Sequence, residues 1–251
     1  SPGIRSDLWL LRIARRRGIP VWSEMELGYR RSRATFLAVT GSSGKSTTVS
    51  MLGEVMAALG RPTVVAGNIG VPVVSVAPAM GPDGVVVAEV SSFQLENVDR
   101  FKPSVAAILN LMKNHLDRYG HEKEYYEAKM NIAVNMDREC RMVVNANDAR
   151  LRRWAVRIAA QTEIAFFGRP EKKGLSAWID GERLVVRDAG GEERALLDVA
   201  EMKVGGMHNY ENASAVAAMA LSAGAPPEAV AEGLRRFEGL AHRLQLVGTY
   251  G

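Results

Sequence analysis

The chain has 251 residues, 47% of them apolar and 24% charged, the composition of a globular protein with one sizeable core or two modest ones. A formal charge of +4 suits an anionic ligand, but aromatics are only 6% and no basic stripe interleaves with them, which argues against a nucleic-acid module. The single Cys140 excludes an intrachain disulfide, no segment resembles a secretion signal, and no apolar run reaches spanning length, so a cytoplasmic protein outside the membrane is expected.

The opening "SPGI" is a Pro-Gly turn, followed by a short helical pattern, "LWLLRIARRRG", and then "IPVWSEMELGYR". Residues 1–33 are expected to be the tail of a preceding domain, with a linker near Arg31 to Arg33. The closing "LQLVGTYG" resembles an unfinished strand, so residues 241–251 are expected to lead into a following domain and the chain to be an excerpt of a longer polypeptide. Between them, residues 34–240 alternate. Strand "TFLAVT", a glycine-rich turn, a helix from Lys45 to about Leu59, strands "TVVAG" and "GVVVAEV", a short helix, strand "VAAILNL" and helix "EKEYYEAKMNIAVNM" follow one another. Such alternation implies a mostly parallel sheet with helices on both faces, and the uninterrupted Val, Ile and Ala runs are what strands buried on both sides need.

Farther on, "MVVNAND" and the helix "ARLRRWAVRIAA" continue the theme, whereas "AWIDGERLVVRD" places Asp180-Gly181 between alternating apolar residues and predicts an antiparallel hairpin. Helices around Asn212 to Ala223 and Pro227 to Phe237 close the domain. The expected fold is a three-layer, P-loop-type α/β fold with an antiparallel extension.

Every polar cluster of interest falls at the carboxyl end of a predicted parallel strand, where ligands of such sheets bind. After the first strand comes "TGSSGKSTT": Gly41, Ser42, Ser43, Gly44, Lys45, Ser46 and Thr47 form a turn whose amides, ammonium and hydroxyl suit a nucleotide phosphate. The usual G-x-x-x-x-G-K-S spacing is not met, because Val39 stands where its first glycine belongs. After "GVVVAEV" stands Glu89, a carboxylate whose burial demands a metal ion or a basic partner, unless it is a surface residue at a strand end. Mg²⁺ shared with Ser46 is the simplest partner. After "VAAILNL" come His115 and Asp117, and Tyr125 and Lys129 lie four apart on one helical face. Taken alone, such a histidine is more often a hydrogen-bonded structural residue than a ligand, and such a lysine is most often solvated.

Together "SPGI", "GIPVWSEMEL", "VTGSSGKSTT", "AGNIGVP", "AEVSSFQLE", "NHLDRYG", "YEAKMNI", "GMHNYENA" and "GLAHRLQ" resemble the Mur ligase family of bacterial cell-wall synthesis, and "SSFQLE" beside "GNIGVP" is similar to its D-glutamate-adding branch. The resemblance implies an ATP-dependent amide ligase joining D-glutamate to UDP-N-acetylmuramoyl-L-alanine through an acyl phosphate. It implies that Lys45 holds phosphates, that Ser46 and Glu89 hold a first Mg²⁺, that His115 holds a second, and that Lys129 becomes a carbamate supporting that metal. Asn68, Ser91, Gln94 and His115 would meet the muramoyl substrate, and Asn209 and Asn212 the adenine side. His242 and Arg243 would lie at the join to the next domain, the arginine approaching the γ-phosphate. The same resemblance makes residues 1–33 the end of a UDP-substrate domain and residues 34–240 the central ATP-binding domain of a monomer. Two rival readings stay open: another Mur or folylpolyglutamate-type ligase, and a noncatalytic nucleotide-binding fragment.

Overall fold

The computed structural model describes Ile4, residues 8–113 and residues 119–240. One nine-stranded sheet organises the described residues, in the order β2-β3-β1-β4-β5-β6-β7-β8-β9. Its strands are β1 (Thr35–Thr40), β2 (Thr63–Gly67), β3 (Val85–Glu89), β4 (Val105–Ile108), β5 (Arg141–Asn145), β6 (Glu163–Phe167), β7 (Ser176–Asp180), β8 (Arg183–Arg187) and β9 (Glu193–Asp198). Pairing is parallel from β2 through β7 and antiparallel for β7-β8-β9. The mostly parallel sheet with an antiparallel extension is therefore as the sequence predicts.

Because successive strand residues face opposite sides, β1 feeds two cores: Leu37 and Val39 enter one, Phe36 and Ala38 the other. The first core is closed by α3 (Lys45–Ala58), α8 (Met207–Ser222) and α9 (Pro227–Arg236), through residues such as Leu52, Val216 and Val230. The second is closed by α2 (Glu24–Arg31), α4 (Val73–Val76), α5 (Ser92–Leu95), α6 (Glu122–Met130) and α7 (Ala149–Ile158), through Met25, Val73, Leu95, Tyr125 and Leu151. Strands sandwiched this way have no polar face, which is why "VVVAE" and "VAAI" read as continuous apolar runs.

The N-terminal segment is divided in how it packs. α1 (Trp9–Arg16) has no buried residue, whereas Met25 and Glu26 of α2 are fully buried. Glu26 accepts hydrogen bonds from the backbone N–H groups of Asp99, Arg100 and Phe101 at 3.2, 2.8 and 3.0 Å and from Arg30 Nε at 2.7 Å. A buried carboxylate is tolerable only with such partners.

Several boundaries differ from expectation. The hairpin is present, but its turn is Gly181-Glu182, since Asp180 pairs with Arg183 in the ladder and Gly181 takes the left-handed conformation at φ 57°. α8 begins at Met207, ahead of the expected Asn212, after Gly206 at φ 99°. α6 ends at Met130 and tightens into a single 3₁₀ turn, Asn131–Ala133. Strands β6 and β9 were not expected from the sequence.

Candidate active site

The sheet order reverses around β1: the chain leaves β1 for β2 on one side and later places β4 on the other. The loops leaving β1, β3, β2 and β4 therefore meet at one edge of the sheet, the crevice where α/β proteins bind ligands.

The turn after β1 is built around Gly44, which caps α3 in the left-handed conformation at φ 80°. A side chain there is strained by the backbone angle, and its Cβ, 2.6 Å from Asn212 Oδ1, would also push that amide out of place. The early amides of the turn are already occupied: Ser42 and Ser43 N–H both donate to Asn110 Oδ1, at 3.0 and 2.9 Å. Asn110 returns a bond from Nδ2 to the Ser43 carbonyl at 3.2 Å. The groups positioned to meet an anion are therefore the positive N-terminal end of α3 and the ammonium of Lys45, whose Nζ lies 3.5 Å from the Ser42 carbonyl. The Ser42 hydroxyl links the turn to the loop after β4, donating to the Met112 carbonyl and accepting from Met112 N–H, both at 2.9 Å.

Beneath the turn lies Glu89, 3% exposed at the end of β3. Its two carboxylate oxygens are used separately: Oε2 accepts from Ser46 Oγ at 2.8 Å and Oε1 from Asn68 Nδ2 at 2.8 Å. Asn68 is aimed there by Gly67, at φ 114°, where a Cβ would sit 2.3 Å from the Glu89 carbonyl oxygen. Three candidate residues from three strand ends thus form one hydrogen-bonded unit around a buried carboxylate, with Asn68 at its exposed rim. Of the alternatives left open for Glu89, the surface one is excluded.

Lys129 comes from α6 and is 2% exposed. Its Nζ donates to the Gly41 carbonyl at 2.9 Å and lies 4.6 Å from the centre of the Tyr125 ring. Burial, reinforced by repulsion from Lys45 and opposed by attraction to Glu89, lowers its pKa to about 7. The solvated-lysine alternative is excluded too, and the amine has a substantial neutral, nucleophilic fraction at physiological pH.

On the other side of the turn a cleft of about 680 Å³ opens between α3 and α8. Ser43, Gly44, Thr47, Asn209 and Asn212 line it together with His208, and Phe237 and Leu240 supply apolar surface. Asn209 Nδ2 donates to the Gly205 carbonyl at 2.8 Å.

Ser91 and Gln94 occupy the same sheet edge but form their own unit. They make a capping box on α5, Ser91 N–H donating to Gln94 Oε1 at 2.9 Å and Gln94 N–H to Ser91 Oγ at 3.3 Å. His115, Asp117, His242 and Arg243 lie outside the described residues. Sequence reasoning passed over Asn110 and His208. His208 sits inside the quoted block "GMHNYENA", and Asn110 is the first polar side chain after the apolar run of β4, so position at a strand end was the available signal for it.

Residues 39–220 match the family described as Mur ligase middle domain. The chain belongs to the Mur ligase family. Among curated relatives, the UDP-N-acetylmuramoylalanine–D-glutamate ligase of Pelotomaculum thermopropionicum is 37% identical over 247 residues, covering 98% of this chain and 54% of that protein. The enzyme of the same name from Streptococcus sanguinis is 40% identical over 250 residues, covering 99% and 53%. The chain spans about half the length of the curated relatives it matches. Its fold is that of MurF from Acinetobacter baumannii, with a TM-score of 0.68, 24% identity and coverage of 88% of this chain and 51% of that one. MurF from Thermotoga maritima, solved in complex with ADP, gives a TM-score of 0.65 at 19% identity, with coverage of 88% and 53%. This Mur ligase chain therefore holds the family's middle domain on a sheet whose strand ends converge as described.

Proposed function

We propose that this Mur ligase chain is the ATP-binding centre of an enzyme that joins D-glutamate to UDP-N-acetylmuramoyl-L-alanine. The observation that carries the reading is the convergence of Lys45, Ser46, Glu89 and Lys129, drawn from three separate elements, beside a nucleoside-sized cleft. The relatives named D-glutamate ligase support the choice of acceptor over the other ligases of this fold.

The residues fit a magnesium ion. Ser46 Oγ and a Glu89 oxygen stand 2.8 Å apart as a hydroxyl and carboxylate pair, both hard oxygen donors. Among the described residues there is no group of three or more His, Cys, Asp or Glu side chains suited to a metal. Few protein ligands beside a polyphosphate is the pattern Mg²⁺ favours, whereas zinc takes a closed protein cage. Bound there, Mg²⁺ would supply positive charge to the phosphates; a second ion, with His115 among its ligands, belongs to the same reading.

In this reading the adenosine end occupies the cleft of Asn209 and Asn212, and the triphosphate runs over Gly44 to the start of α3. Lys45 offsets the charge that collects on the phosphates while a substrate carboxylate oxygen attacks the γ-phosphorus and ADP leaves. The amine of D-glutamate then attacks the acyl carbon, phosphate departs with the bonding pair, and the nitrogen loses a proton. Bringing two anions together is the electrostatic obstacle, and Lys45 and Arg243 are the cations the chain offers against it.

Lys129 takes a different part. With its pKa near 7, the neutral amine attacks CO₂ and releases one proton, leaving a carbamate that converts a buried cation into an anion able to face a metal. Asn68, Ser91 and Gln94 orient the muramoyl substrate, residues 1–33 close a UDP-substrate domain, and residues 241–251 lead to a domain carrying the D-glutamate site. The reading carries with it a cytoplasmic location, where ATP is supplied; among the described residues no helix is long and apolar enough to cross a membrane.

The test uses the full-length protein with ATP, Mg²⁺ and the UDP-linked substrate, offered D-glutamate, L-glutamate, L-alanine or diaminopimelate in turn. Phosphate release that depends on D-glutamate is the expected result. Release with another acceptor and none with D-glutamate moves the protein to a different ligase, and no release with any acceptor removes the ligase reading.

A further inference from the structure

The capping box of Ser91 and Gln94 is held from outside by Glu24, a residue of the "GIPVWSEMEL" block to which no role in the site has been given. Glu24, the first residue of α2, accepts from Gln94 Nε2 through Oε1 at 3.0 Å and from Val74 N–H through Oε2 at 3.2 Å. Val74 belongs to α4, which follows directly on the "GNIGVP" loop of Asn68, so one carboxylate joins α2 to both segments that carry the candidate substrate contacts.

The chemistry fixes more than distance. A glutamine side chain has one accepting end and one donating end, and its amide can be flipped at little cost unless its partners decide. Gln94 is 1% exposed, and its Oε1 accepts from Ser91 N–H at 2.9 Å and from Ser91 Oγ at 3.0 Å. An ionised carboxylate only accepts, so Glu24 admits only the donating end of Gln94 on its side and thereby turns the carbonyl end to Ser91.

We propose that Glu24 is a positioning residue for the UDP-linked substrate, setting the amide orientation of Gln94 and the spacing between the Asn68 loop and the Ser91–Gln94 segment. The proposal rests on the reading of those three residues as substrate contacts. Glu24 itself touches neither ATP nor the phosphate turn: its bonds run to Gln94 and Val74 alone among the hydrogen bonds described above.

The full-length protein, compared with Glu24→Ala and Glu24→Gln, tests this by calorimetric titration with UDP-N-acetylmuramoyl-L-alanine and, separately, with ATP. Glu24→Ala is expected to weaken binding of the UDP-linked substrate by about tenfold, the loss of a charge-assisted hydrogen bond, and to leave ATP affinity within about twofold. Glu24→Gln retains an acceptor for Gln94 but sets a donor against Val74 N–H, so an intermediate loss is expected. Glu24→Ala added to Gln94→Ala should cost clearly less than the sum of the two single losses, because the part that Glu24 exerts through the Gln94 amide is already gone and only its tie to Val74 N–H remains to be lost.

Equal weakening of both ligands, or full additivity of the two substitutions, overturns the proposal in favour of a general structural role. Unchanged affinity of Glu24→Ala for the UDP-linked substrate overturns it as well while leaving the ligase reading intact. Wild-type protein that does not bind the UDP-linked substrate at all removes the ligase reading and the proposal with it.

Discussion

The two halves of the sheet treat charge differently. At the carboxyl ends of β1, β2 and β3, Ser46, Glu89 and Asn68 are joined by 2.8 Å bonds, with Glu89 almost without exposure. On the antiparallel extension, Arg183 and Asp198 face each other at 3.5 Å with side chains 67% and 63% exposed. Both regions contain opposite charges or polar pairs on neighbouring strands. Only the first holds such a pair, Ser46 and Glu89, away from water; there an interaction is strong and a missing partner is costly, whereas an exposed pair contributes little. Of these two regions only the strand ends keep charge that is expensive to hold; burial alone is not the mark of a site, since Glu26 is fully buried under α2 with backbone N–H partners of its own.

The sharpest way to break this contrast is at Glu89. Glu89→Gln preserves shape and leaves an acceptor for Asn68, but it removes the negative charge that the proposed metal would require. Activity of the full-length enzyme is expected to fall by about a hundredfold or more, with the melting temperature nearly unchanged. Steady-state phosphate release and a thermal scan check both halves of that statement; substantial activity in the variant would make the carboxylate structural only. Lys129→Ala follows, expected to lose about a hundredfold and to recover part of it when formate or acetate is added. A short carboxylate fits where the side chain is removed and supplies the anion that a carbamate would have provided. Absence of recovery with any short acid would leave the lysine as a charge partner of the Gly41 carbonyl alone.

What the sequence disclosed follows the same divide. Strand ends with glycine, lysine and hydroxyl together are legible because few local structures need that combination, and the parallel sheet is legible because strands covered on both faces carry unbroken apolar runs. The burial of Lys129 was not legible: nothing in "YEAKMNI" tells a solvated helix lysine from one driven under the phosphate turn, since that depends on how α6 meets β1 in space. Strand β9 escaped for the opposite reason. "ERALLD" is mostly exposed at the edge of the sheet, so it lacks the alternation that a half-buried strand displays. The clamp from Glu24 escaped because it joins residues 70 apart, and the block that contains Glu24 says nothing of Gln94 as its partner.

A smaller effect distinguishes the two regions through pH. Lys129 titrates near 7 when folded and near 10.5 as an ordinary lysine, so between those values the unfolded chain binds the extra proton. Stability contributed through this group therefore rises as pH increases from about 7 towards 10.5, and below about 7 the folded protein carries the full burden of a buried ammonium. In CO₂-free buffer, the wild type should gain roughly 2 kcal/mol relative to Lys129→Met between about pH 7 and pH 9, by urea denaturation. Parallel curves for the two proteins would mean that the amine is relieved by a partner that the folded protein keeps at both pH values.

The smallest effect is expected on the flank, and its smallness is what matters. Arg183→Ala removes one member of an exposed cross-strand pair without uncovering any buried group, because Asp198 stays solvated and β8 remains anchored by Leu184 and Val186 in the core. Urea denaturation should register a change below about 0.5 kcal/mol, and less still in molar salt, where screening weakens what attraction there is. A loss several times larger would mean that the extension holds its charges as tightly as the site does. The cost of burial would then no longer separate the working edge of the sheet from its flank.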